Sequence, residues 1–155
     1  MAKSLRIYSK NEPYKKNKKY KFNYHEQKKN FLNFKNKIFS VKKKIIEFVR
    51  NNSFNGKIVI GLGAATKGNT LLQYYGIDSK MISFASERSP EKWGKYTIGT
   101  GVEIISEEYA RKLNPEYFFV MPYAFIKEFV IREKKWLKKG GKFILPYPNF
   151  KVLNK

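Results

Sequence analysis

Gly61-Leu62-Gly63-Ala64-Ala65-Thr66-Lys67-Gly68-Asn69-Thr70 is the segment of this 155-residue chain whose residue types and spacing best suit chemistry. It follows the apolar run Ile58-Val59-Ile60. A strand that enters a glycine-rich turn and leaves it as a helix aims backbone N–H groups into the turn, where the helix dipole favours an anion. Gly61, Gly63, Ala64 and Ala65 are small enough for a ligand to approach the backbone. Lys67 adds a positive charge, and Thr66, Gly68 and Asn69 complete the candidate set. The spacing departs from two well-known loops. A dinucleotide loop carries its third glycine where Thr66 stands, and a triphosphate loop carries Lys-Ser/Thr where Asn69-Thr70 stand. The segment therefore reads either as a phosphate- or ribose-binding loop or as a tight turn that holds nothing.

Other residues have weaker claims. Glu87 lies 26 positions after Gly61, at the end of a second apolar run. An acid there can accept hydrogen bonds from ribose hydroxyls, and a surface ion pair with Arg88 is the alternative. Trp93 and Tyr96 sit in a glycine-rich loop and can stack on a base or sugar, or cover a sheet edge. His25 is the single histidine and lies in a polar, basic stretch with no visible base partner, so it reads as a solvated side chain. Glu107, Glu108, Glu128 and Glu133 fall on expected helices and read as solvated or paired with nearby lysines. No catalytic residue is assigned. There is no cysteine, which excludes disulfides, thiolate metal sites and a cysteine nucleophile. One histidine excludes a histidine-only metal cluster, and no metal site is expected.

The elements that would position these residues follow from the apolar pattern. Residues 1–25 form a basic arm, with Ser4–Tyr8 expected as a short strand and a polar linker broken by Pro13. Over residues 26–52, Phe31, Phe34, Ile38, Val41, Ile45 and Phe48 recur at steps of three or four, one face of an amphipathic helix. That face is expected to pack on the sheet. Residues 56–150 form the fold proper. Strands are expected near 57–61, 81–86, 102–105, 117–121 and 142–145, with helices at 67–75, after Ser106 and over 124–137. Gly76 should end the first of these helices and Ser106 should cap the second. Residues 151–155 are read as a tail. Strands alternating with helices imply an α/β, Rossmann-like, mostly parallel sheet with helices on both faces.

Net charge is +21, from 33 Lys+Arg against 12 Asp+Glu. Such a surface attracts phosphates, nucleic acid or acidic partners. Lysine outnumbering arginine, with abundant asparagine, also fits a bias of base composition. No zinc-finger, aromatic RNA-binding or recognition-helix signature accompanies the charge. No apolar run reaches the length of a membrane span, and no secretory signal is visible, so a cytoplasmic protein without membrane partners is the default expectation.

Blocks along residues 56–150 resemble the C-terminal domain of S-adenosylmethionine-dependent sugar C-methyltransferases, enzymes of nucleotide-linked deoxysugars. The glycine loop through Leu71-Leu72 carries the first block. Glu87-Arg88-Ser89-Pro90-Glu91-Lys92 with Gly94-Lys95-Tyr96, Gly99-Thr100 before Val102-Glu103-Ile104, Pro115-Glu116-Tyr117 leading to Met121-Pro122-Tyr123, and Gly140-Gly141-Lys142-Phe143-Ile144-Leu145-Pro146-Tyr147-Pro148 follow in the family's order. Upstream, Ser4-Leu5-Arg6 resembles the end of the segment that leaves the family's central methyltransferase domain, with Ala2-Lys3 where that segment has glycines. The resemblance implies a nucleotide-sugar-binding domain. It also implies that the zinc-binding domain, the adenosylmethionine site and the catalytic base belong upstream of this chain, on a separate chain if the enzyme is split. Tyr123 stands near the family's tryptophan and could keep a stacking surface, whereas Ala124 replaces an Asn or His. The alternative reading is a basic nucleic-acid-binding or protein-docking module on a degenerate methyltransferase fold.

Overall fold

A computed structural model describes residues 24–154. The expected strand at Ser4–Tyr8 and the linker around Pro13 lie outside the described residues. The chain divides into two compact units, residues 1–37 and 38–155. The described part of the first is helical, and its Phe31, Leu32 and Phe34 are exposed. The helix α1 (Tyr24–Phe54) begins there and continues into the second unit. In the second unit α1 presents Ile45 and Val49, both fully buried, with Val41, Ile46 and Phe48 packed beside them. The expected packing face thus holds from Val41 onward and includes Val49, while Phe31 and Phe34 are not buried.

The second unit is a six-stranded sheet of order β3-β2-β1-β4-β5-β6, parallel except for β6. The strands are β1 (Val59–Leu62), β2 (Phe84–Glu87), β3 (Glu103–Ser106), β4 (Tyr117–Val120), β5 (Lys142–Leu145) and β6 (Lys151–Leu153). Helices α2 (Thr66–Tyr75), α3 (Glu107–Lys112), α4 (Ile126–Arg132) and α5 (Lys134–Lys138) join them. Successive side chains of a strand point to opposite faces. Val59, Tyr117 and Phe119 accordingly join the α1 and α2 residues Ile45, Leu72 and Tyr75, while Ile60, Leu62, Phe118 and Phe143 join Phe129 and Trp136 of α4 and α5. This is an α/β Rossmann-like layer with helices on both faces.

Three expectations shift. Strand β2 starts at Phe84 rather than Met81, because the amides of Met81 and Ile82 both bond the Asp78 carbonyl at 3.0 Å and hold those apolar residues in a turn. The helix expected over 124–137 is a short 3₁₀ turn at Tyr123–Phe125 followed by two helices that break at Glu133. Residues 151–153, read as tail, form the antiparallel edge strand β6. Two ends fall where expected. Gly76 closes α2 in the left-handed conformation at φ 67°, and the Ser106 hydroxyl accepts the Tyr109 amide at 3.0 Å.

Tyr75 ties α2 to the segment after β5. Its hydroxyl donates to the Pro146 carbonyl at 3.0 Å. Burial, and then neighbouring Tyr74, push its pKa from 10.0 up to about 12. The unfolded chain loses this proton near pH 10 and the folded chain near pH 12, so the stability it contributes is present below pH 10 and lost as pH rises toward 12. Urea denaturation across that range should show a falling midpoint, and Tyr75→Phe should flatten the fall. An unchanged slope in the variant would place the alkaline sensitivity elsewhere.

Candidate functional site

The sheet order reverses direction at β1, whose neighbours are β2 on one side and β4 on the other. The chain leaves β1 into α2, on one face, and leaves β4 toward α4, on the other. Open parallel sheets bind ligands at the carboxyl ends of strands where connections diverge in this way. The glycine loop and Pro122 meet there.

Packing accounts for much of the glycine pattern. A Cβ built on Gly61 would lie 2.9 Å from Met121 Sδ, one on Gly63 2.8 Å from Pro122 Cγ, and one on Gly68 would overlap the Met121 Cβ. Met121 is fully buried. The Met121 side chain and the Pro122 ring occupy the space a Cβ on these glycines would need. The turn also uses its own donors. The Gly63 and Ala64 amides donate to the Ser86 carbonyl at 2.9 and 3.0 Å, and the Ala65 amide donates to the Gly63 carbonyl at 2.7 Å. The Ser86 hydroxyl returns a bond to the Gly61 carbonyl at 3.1 Å.

Free donors begin one step later. Ala65 is the N-cap of α2 and has no side chain to cap it. The first helical bond is from Asn69 N to Ala65 O, at 3.0 Å. The amides of Thr66, Lys67 and Gly68 precede that bond and have no partner four residues back. Thr66 and Lys67 are exposed, whereas Asn69 is half-buried and its Oδ1 has no hydrogen-bond partner among the described residues.

Glu87 is turned toward its own loop. Its Oε1 accepts from the Arg88 and Ser89 amides at 2.8 and 3.4 Å, and its Oε2 meets Lys92 Nζ at 3.2 Å. Lys92 Nζ also reaches the Ala64 carbonyl, at 3.5 Å. Sequence reasoning gave Lys92 no role. It is the cation that joins the glycine turn to Glu87. Trp93 donates from Nε1 to the Glu87 carbonyl at 2.9 Å and stays partly exposed. Tyr96 is exposed and bridges to Glu103 beside the β3 edge. The Tyr123 ring lies tilted by 48° against that of Tyr147, centroids 4.6 Å apart, beyond β4. In the sheet order β1 stands between β2, which leads to Trp93, and β4, which leads to Tyr123.

A cavity of about 180 Å³ opens beside Pro122, lined by Gly63, Ala65, Glu87, Glu107 and Arg132 among others. Its wall continues into a charge network. Arg111 bonds Glu133 through Nε at 2.9 Å and Nη2 at 2.7 Å, and its Nη2 also meets Glu107 at 2.9 Å. Arg132 Nη2 bonds Glu107 at 2.8 Å. Hydrogen bonding to Glu133 raises the Arg111 pKa above its ordinary value, so the guanidinium is permanently charged. Glu107 and Glu133 are buried, not solvated or lysine-paired as the sequence reading had them. The helical spacing Glu107–Arg111 is a readable signal; the links to Glu133 and Arg132 join different helices and are not.

Residues 6–148 match the C-methyltransferase C-terminal domain family. The chain belongs to that family. It is also 36% identical over 114 residues to the C-methyltransferase NovU of Streptomyces niveus, a match covering 74% of this chain and 27% of that protein. The chain thus spans about a quarter of the length of the curated relative it matches. The family resemblance implies S-adenosylmethionine in the complete enzyme. The described residues at the strand ends do not fit it. The Gly63 and Ala64 amides are spent on Ser86 and are not available to it. No helix among the described residues is long and apolar enough to cross a membrane.

Proposed function

We propose that this C-methyltransferase C-terminal domain holds the nucleotide part of a nucleotide-linked sugar at the start of α2. The observation that carries the reading is the uncapped helix start at Ala65, where the Thr66, Lys67 and Gly68 amides precede the first helical bond. A helix start of this kind favours a phosphate oxygen. The exposed Lys67 supplies a counter-charge, and Lys92 stands at the turn's other side. Trp93, anchored by its indole N–H, offers an exposed ring to a base or sugar. Gly61 and Gly63 let the turn pack against Met121 and Pro122. Tyr123, paired with Tyr147, is assigned no contact with the phosphates.

Methyl transfer to a sugar carbon needs a base that removes a proton beside a carbonyl and a methyl donor held in line with the carbanion. This reading gives both to the remainder of a full-length enzyme, whichever polypeptide carries it. A radiolabelled methyl-transfer assay with residues 1–155 alone should therefore show no turnover; turnover would overturn that division of labour.

Calorimetry with a nucleotide diphosphate sugar tests the site. Lys67→Glu should weaken binding by about tenfold, equivalent to roughly 1.4 kcal/mol. Lys80→Glu makes the same charge change away from α2 and should have little effect. Equal losses in both variants would assign the binding to the general positive field and leave the loop as a turn.

A further inference from the structure

The side of the fold away from α2 carries a second feature. An apolar groove of about 810 Å³ runs beside α4, α5 and the β5–β6 edge, floored by Val130, Ile131 and Leu137 and rimmed by Lys134, Lys138 and Lys142. Ile131 is 77% exposed and lies beside the partly buried Val130 and Leu137. No acidic residue lines the groove. Glu133, the acid between the two helices, points inward to Arg111 and Arg132, and Glu128 of α4 pairs with Arg88 and Arg132. The lysines that follow Glu133 are left with no ion pair among the described residues.

A second observation adjoins the groove. Strand β6 pairs only with β5 among the described residues, so its outer edge keeps unpaired backbone groups. Asn154, directly after β6, lines the groove. An open sheet edge can accept an added strand, whose backbone gives affinity while alternate side chains enter pockets beside it.

We propose that this groove and edge are a docking site for an acidic, extended protein segment. Its apolar side chains would lie on Val130, Ile131 and Leu137, and its carboxylates would meet Lys134, Lys138 and Lys142. Charge complementarity selects this occupant. A second copy of the chain brings its own net charge of +21 to a lysine rim and is repelled. The concavity of the groove fits side chains from a narrow segment and not the flat surface of a bilayer.

The test uses residues 1–155 and a fluorescein-labelled peptide of roughly twelve residues in which every second residue is isoleucine and glutamate in turn, with serine between them, so that both types share one face of a strand. Fluorescence anisotropy should show saturable binding. Ile131→Glu should weaken it by about tenfold, as should Lys134→Glu with Lys138→Glu, whereas the equal charge change Lys80→Glu with Lys95→Glu should cost less than about threefold. Ile131 is exposed, so its variant should keep the wild-type unfolding midpoint, which is checked in parallel. No binding, or equal loss in the groove and control variants, overturns the proposal. Concentration-dependent dimerisation abolished by Ile131→Glu would assign the groove to a second copy. Binding to phosphatidylserine vesicles but not to the peptide, lost in Ile131→Glu, would assign it to a lipid surface. Either result overturns the proposal as stated. Lys67→Glu should leave peptide binding intact, which separates this site from the one at α2.

Discussion

Gly141→Ala is expected to destabilise the fold by about 3 kcal/mol, at the upper end of the usual cost of overpacking. A Cβ at Gly141 would overlap Cε2 and Cδ2 of the Trp136 indole and lie 2.6 Å from its Cζ2. A clash is cheap when the neighbour is the free end of a flexible side chain. Trp136 is the opposite case. Its Nε1 donates to the Pro115 carbonyl at 2.8 Å, and its ring lies against Phe118 and Phe143, with centroids 4.5 and 5.1 Å away. Moving the indole breaks a buried hydrogen bond and opens the core between β4 and β5. The backbone at Gly141 must move instead, and it leads directly into β5. Thermal and urea unfolding of the variant should show a large midpoint drop at unchanged m-value. Gly140→Ala is no control for space, because its φ of 96° strains any side chain. A drop in Gly141→Ala below about 1 kcal/mol would mean that the indole yields more easily than its contacts indicate.

Glu133→Ala is the second large effect. Glu133 is 2% exposed and takes two hydrogen bonds from Arg111, with Arg132 Nε 3.5 Å away. Removing it leaves two guanidiniums facing a small void. Breaking a buried ion pair costs about 3–5 kcal/mol. The Arg111 side chain is 38% exposed and can regain water, which lowers the expected loss to about 2 kcal/mol. Glu133→Gln keeps an acceptor and should lose less. Glu108→Ala, which removes an exposed pair with Lys112, should leave the midpoint unchanged. Because α4 and α5 meet at Glu133, its loss should also loosen the groove beside Ile131, visible as faster exchange of the α5 amides. A Glu133→Ala variant as stable as wild type would show the network to be decoration on a core that stands without it.

The parts of the fold that sequence reveals are those where one residue type serves one purpose. The all-apolar run Tyr117–Val120 is a strand buried on both faces, as such runs generally are. Gly76 and Ser106 act through their own backbone or hydroxyl, so their positions are readable one residue at a time. Legibility falls where a distant partner decides. Met81 and Ile82 look like strand residues, but the Asp78 carbonyl keeps them in a turn. Lys151-Val152-Leu153 is too short and polar to read as a strand until β5 lies beside it. The helix period runs smoothly through Glu133, where the backbone leaves helical geometry at φ −97° and ψ 18°, and the ion-pair partner of its side chain, Arg111, lies 22 residues away. The candidate site follows the same rule. The glycine loop itself was legible, but the Ser86 carbonyl that consumes the Gly63 and Ala64 donors is contributed by another strand.

Met121 gives the glycine loop a meaning independent of any ligand. Its side chain lies where Gly61 and Gly68 would each carry a Cβ, so these glycines act as a gauge for the distance between α2 and the sheet. A larger residue at either position widens the gap whether or not a nucleotide ever enters it. A domain of this kind that had lost its ligand long ago would still be obliged to keep both glycines, and could shed Lys67 freely. Glycine spacing is therefore a record of how closely two layers approach, and carries no information about a ligand by itself.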